Sequence, residues 1–106
     1  MQETNYNKLV RDKIPSIILA DGRKPKTKKI ESDEELKILL ADKLIEESHE
    51  YLNNKKIEEL ADIMEIILTI LKIENIDLSD FERMRLEKKR DRGGFDEQIY
   101  LISVLD

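Results

Sequence analysis

Carboxylates recur on two neighbouring stretches of the chain, Glu46-Glu47-Ser48-His49-Glu50 and Glu58-Glu59-Leu60-Ala61-Asp62. Glu47 and Glu50 are three positions apart, as are Glu59 and Asp62, and that spacing puts each pair on one face of a helix. Like charges stacked in this way repel by roughly a few tenths of a kcal/mol per pair. In an antiparallel helical hairpin the two pairs reach similar heights near the turn, and a cation is required between them. Lys55 and Lys56 lie in that turn but cannot readily neutralise all four charges. A hard divalent ion bound through oxygen fits the donor set best, Mg²⁺ first and Mn²⁺ as its substitute. Taken singly, glutamates on helices are ordinarily a solvated face, because Glu is a strong helix former. Their arrangement is what points to a site.

Carboxylates that hold Mg²⁺ suggest phosphate chemistry, since the ion is usually shared between a few carboxylates and phosphate oxygens. Such a site also needs cations for the phosphate tail. The stretch Lys88-Lys89-Arg90-Asp91-Arg92-Gly93-Gly94 offers charge-assisted donors, and its glycines let backbone amides approach an anion. The bland alternative is strong there, because basic residues in a last turn offset the helix dipole and glycine is a common stop. Glu46-Glu47-Ser48-His49 also contains one Glu-x-x-His element of the kind used by di-iron carboxylate bundles. Those sites need two such elements, and this chain has a single histidine. His49 is therefore expected at the surface or behind the ligands.

The elements that must position these groups follow from periodicity and punctuation. A short helix is expected at about 11 to 20, with Pro15 in its first turn and Asp21-Gly22 as its stop. Residues 23 to 31 read as an exposed connection. Ser32 with Glu35 forms a capping-box start for a helix reaching about Leu52, with Leu36, Leu39, Leu40, Leu44 and Tyr51 as its apolar stripe. Asn53-Asn54-Lys55-Lys56 breaks the period, and a second helix is expected from about 56 to 73. Its middle, from Ile63 to Leu71, is apolar nearly all round, which calls for cover on most sides and hence for a second subunit. A third main helix, capped by Asp77 or Ser79, runs to about Asp91 before Gly93-Gly94 ends it. Phe95 to Leu105 reads as a short strand or an irregular packed segment.

At 106 residues the chain is one domain, 1–106, and buries only about two-thirds of its unfolded surface. Charged residues at 41% and hydrophobic ones at 40%, the latter in periodic Ile and Leu runs, fit patterned helices and not a disordered polyampholyte. The expected fold is all-α: a bundle built on a helical hairpin and completed by oligomerisation, with short irregular or extended terminal segments. A net charge of −5 argues against nucleic acid as a general partner. With no cysteine there is no disulfide, zinc thiolate or thiol nucleophile. Met1-Gln2-Glu3-Thr4-Asn5 lacks the basic and apolar regions of a signal peptide, and no apolar run is long enough to span a membrane. The expectation is a soluble cytoplasmic domain.

The pattern Glu46-Glu47-x-x-Glu50 followed by Glu59-x-x-Asp62 resembles the signature of the MazG-like, all-α nucleotide pyrophosphohydrolases. That superfamily includes phosphoribosyl-ATP pyrophosphohydrolase and dimeric dUTPases. Tyr6-Asn7-Lys8-Leu9-Val10-Arg11-Asp12-Lys13-Ile14-Pro15 looks like the N-terminal motif of its phosphoribosyl-ATP-pyrophosphohydrolase-like branch. Lys88-x-x-x-Arg92-Gly93-Gly94-Phe95 looks like the C-terminal motif of that branch. The three motifs occur in the expected order and together cover nearly the whole chain. The eight residues from 51 to 58 make a shorter spacer than in many relatives.

The resemblance implies a helical dimer or dimer of dimers that uses Mg²⁺ to split a nucleoside triphosphate into the monophosphate and pyrophosphate. Carried over by motif, Glu47, Glu50, Glu59 and Asp62 are metal ligands, and Glu46 positions or deprotonates the attacking water. Lys88, Arg92 and Gly93 hold phosphates. Lys8 and Arg11 are further candidates for that task, with Asp12 orienting Arg11. The expected activity is pyrophosphohydrolysis of NTPs or dNTPs, with cleansing of the nucleotide pool as its role. Two alternatives stay open: hydrolysis of phosphoribosyl-ATP in histidine biosynthesis, and a non-enzymatic helical dimerisation or regulatory module.

Overall fold

The computed structural model describes residues 2–106; Met1, part of the segment read for a leader, lies outside them. The described residues form four helices and no strand: α1 (Ile14–Ala20), α2 (Asp33–Asn54), α3 (Ile57–Ile73) and α4 (Leu78–Arg92). None of them is long and apolar enough to cross a membrane.

α1 starts three residues later than its expected position. A helix from Arg11 would need the nitrogen of Pro15 to donate to the Arg11 carbonyl, and proline has no hydrogen there. The Ile14 N–H takes that carbonyl instead, at 3.1 Å, and makes a turn that leads into the helix. Gly22, at φ 82°, then ends α1 in the backbone region where a side chain would be strained.

α2 opens as its capping box dictates: the Glu35 N–H donates to Ser32 Oγ at 3.3 Å, and Asp33, Glu34 and Glu35 sit in the positive first turn. It continues two residues beyond Leu52 to Asn54. Lys55 and Lys56 alone then separate it from α3. The reversal is this tight because Lys55 adopts a left-handed conformation, φ 58°, and its N–H donates to the Tyr51 carbonyl at 2.8 Å. The eight-residue spacer is thus the last turn of α2, the two lysines and the first two residues of α3.

Packing of α2 against α3 is the one extensive helix–helix contact among the described residues. Leu40 on α2 and Ile66 and Leu71 on α3 are the buried core, while Leu36, Leu39, Leu44 and Tyr51 on α2 are half-buried. At the end away from the turn, Lys37 Nζ lies 2.9 Å from Glu74 Oε1, as the antiparallel arrangement allows. Cover of the apolar helix is incomplete: Leu60 and Met64 on α3 remain exposed, and Ile67, Leu68 and Ile70 are half-buried.

α4 is capped by position at Asp77, whose carboxylate accepts from Ser79 Oγ at 3.0 Å and not from a backbone N–H. The two residues named as alternative caps therefore act on each other. After Gly93 the tail is irregular, and it is not packed: Phe95 is 96% exposed and Leu105 95%. Such a chain end buries too little apolar surface to offset its own ordering entropy.

Because three side chains carry the core, Leu40→Ala is expected to lower stability by about 2–4 kcal/mol. Urea unfolding followed by circular dichroism, at fixed protein concentration, measures it; an unchanged midpoint would contradict the α2–α3 seam as the source of stability.

Candidate metal centre

The two-residue turn decides which carboxylates meet. Glu47 lies two turns before the end of α2, while Glu59 and Asp62 occupy the first two turns of α3. A hairpin this tight sets those levels side by side. Oxygens of Glu47, Glu59 and Asp62 all lie within 4.8 Å of one another, and all three residues are half-buried. Glu50 belongs to the same helical face by spacing, but it is exposed and stands outside that group. His49 is exposed as well, also outside it.

This convergence has an electrostatic cost. The Glu47 side chain is only 13% exposed. Burial pushes its carboxyl above the ordinary carboxylate range, and its contact with Glu59 and the charge of Asp62 push the same way. Lys43 opposes the shift, with Nζ 3.8 Å from Glu47 and 3.7 Å from Glu46. A set of three crowded oxygens, one with a destabilised negative charge, has the chemistry of a hard-cation site. The three residues could therefore hold a metal ion.

Cations from elsewhere in the chain approach this group. Residues 6 to 13 carry Arg11 to Asp62, Nη2 to Oδ1 2.5 Å, and Lys8 to Glu46, Nζ to Oε1 3.4 Å. Arg11 is thus paired with Asp62 and not with Asp12. Asn7, Lys8 and Leu9 face Leu39, Asp42, Lys43 and Glu46 across a cavity of about 90 Å³. Both oxygens of Glu46 face ammonium groups, Lys8 on one and Lys43 on the other.

The basic end of α4 is arranged differently. Lys88, Arg92 and Gly93 are exposed, and among the described residues neither Lys88 nor Arg92 forms an ion pair with the carboxylates. One chain brings Lys8 and Arg11 to the site and leaves Lys88, Arg92 and Gly93 apart from it.

Two contributors were not singled out in the sequence. Lys43 precedes Glu46 and Glu47 by three and four residues, a helical ion-pair spacing that was there to be read. Asn54 Nδ2 donates to Glu59 Oε1 at 3.3 Å while its Oδ1 accepts the Lys56 N–H at 2.9 Å. Asn54 so ties the turn to one member of the carboxylate group, and an Asn at a helix end is the signal that marks it.

Comparison with family models, curated proteins and solved structures finds no match to this chain.

The raised Glu47 carboxyl has a sign that can be measured. Folding increases its proton affinity, so its contribution to stability is full below the ordinary carboxylate range. That contribution is lost as pH rises through the elevated folded value. In metal-free protein at neutral pH, Glu47→Gln is thus expected to stabilise the fold by about 0.5 kcal/mol. Mg²⁺ should raise the melting temperature of the parent and not that of the variant. A destabilised variant, or equal Mg²⁺ responses, would contradict the reading of Glu47 as a strained ligand.

Proposed function

We propose that this chain is a Mg²⁺-dependent nucleotide pyrophosphohydrolase of the MazG-like kind, releasing pyrophosphate from NTPs or dNTPs. The observation that carries the reading is the convergence of Glu47, Glu59 and Asp62, three residues of the acidic signature whose resemblance to that superfamily is described above. The N-terminal motif supports it by delivering Arg11 to Asp62 and Lys8 to Glu46, the neighbour of Glu47. A cytoplasmic role in cleansing the nucleotide pool fits this substrate.

Glu47, Glu59 and Asp62 would hold the ion, with Glu50 joining from the next turn of α2. Bound there, Mg²⁺ supplies charge neutralisation to the triphosphate and lowers the pKa of a coordinated water. Glu46 would orient the water that attacks the α-phosphorus, once Lys8 leaves its carboxylate. Lys8 and Arg11 then face the phosphate oxygens with charge-assisted donors. No side-chain nucleophile takes part. Lys88, Arg92 and Gly93 are proposed to complete the phosphate grip, and in this arrangement they reach it from a second copy of the chain. The exposed Leu60 and Met64 on α3 and the unpacked tail after Phe95 support such an assembly, a dimer or dimer of dimers.

Pyrophosphate release from a panel of nucleotides, with and without Mg²⁺, tests the activity. Turnover of NTPs or dNTPs only with Mg²⁺ is expected; turnover of phosphoribosyl-ATP alone would move the substrate to histidine biosynthesis. No turnover at all would leave the non-enzymatic module. Asp62→Asn and Glu50→Gln should each lower turnover by at least about 100-fold with helical content intact. Full activity in either would remove that residue from the mechanism. Sedimentation at micromolar concentration is expected to give a dimer or larger, and a monodisperse monomer would refute the shared site.

A further inference from the structure

Arg11 sits on one of the carboxylates that a metal ion would take. Its guanidinium lies 2.5 Å from Asp62 Oδ1, although the two residues are 51 positions apart in sequence. The segment that carries it is held by few other polar contacts. Lys8 reaches Glu46 at 3.4 Å, and the Ile14 N–H closes the turn onto the Arg11 carbonyl. Residues 6 to 8 and 10 to 13 are exposed, with Leu9 half-buried. The Arg11 side chain is 53% exposed and that of Asp62 39%, so solvent competes for this pair and its strength is modest.

We propose that residues 6 to 13 form a cation-operated strap, closed by Arg11 on Asp62 and released when a divalent ion binds the carboxylates. The inference rests on the metal-site reading above. A divalent ion at Glu47, Glu59 and Asp62 repels a guanidinium held on the same carboxylate, and Asp62 cannot serve both fully. Release frees Arg11 for an anion at the moment the metal is loaded. The coupling is reciprocal: whatever holds the strap closed weakens the metal, and the metal opens the strap to the same extent. Lys8 lies on Glu46, outside the group of three oxygens, and so contributes less to the competition.

Two readouts without nucleotide test this. Trypsin must take the Arg11 side chain into its own pocket to cut after it, so a closed strap protects that bond. With Mn²⁺ as the only addition, cleavage of the full chain after Arg11 is expected to accelerate roughly two- to five-fold relative to cleavage after the exposed Lys28. In calorimetry, Arg11→Ala should bind Mn²⁺ roughly two- to five-fold more tightly than the parent, and Lys8→Ala by a smaller factor. An unchanged cleavage ratio while Mn²⁺ binds, or equal affinity in Arg11→Ala, would overturn the strap and leave the metal site standing. If the parent binds no Mn²⁺, the metal reading falls and the strap falls with it.

Discussion

Mutual repulsion among Glu47, Glu59 and Asp62 is the constraint on which the rest of this molecule turns. Their oxygens lie within 4.8 Å of one another on two helices joined by a two-residue turn. The apolar seam from Leu40 to Ile66 and Leu71 must oppose that repulsion, and a three-residue core leaves little to spare. Lys43 from the same helix, Arg11 from the N-terminal segment and Asn54 at the turn each hold one of the three carboxylates. The fold around the hairpin is in this sense a set of partial answers to one concentration of charge.

Those answers differ in permanence. Lys43 is carried on α2 and is only 17% exposed, so it cannot leave without repacking. Arg11 is on an irregular segment, and its pair with Asp62 is partly exposed to solvent. A site with one fixed and one removable cation keeps its carboxylates close together while leaving room for a stronger ligand.

The hairpin was legible because local signals agree. Ser32 with Glu35, the leucine stripe, the Asn53–Lys56 break and the apolar run of α3 all point to the same two helices, and the structure has them to within two residues. Three of the four proposed ligands meet because i, i+3 spacing on α3 and a tight turn leave them little choice. Glu50 stands apart: it shares a face with Glu47 by spacing, but spacing does not fix how far a side chain reaches across the groove. Arg11 on Asp62 and Lys8 on Glu46 span 51 and 38 residues, and no periodicity encodes contacts at that range. The start of α1 was legible in principle, from the hydrogen that Pro15 lacks. Lys88, Arg92 and Gly93 are the opposite case, a motif plain in sequence but set apart from the carboxylates within one chain.

A crystal grown with saturating Mn²⁺ and measured at a wavelength where manganese scatters anomalously tests most directly whether this carboxylate group is a metal site. The expected result is an anomalous peak between Glu47, Glu59 and Asp62 within bonding distance of their oxygens, with the guanidinium of Arg11 withdrawn from Asp62. A peak elsewhere, or none while Arg11 stays on Asp62, would show that the three carboxylates are a crowded surface and not a metal centre.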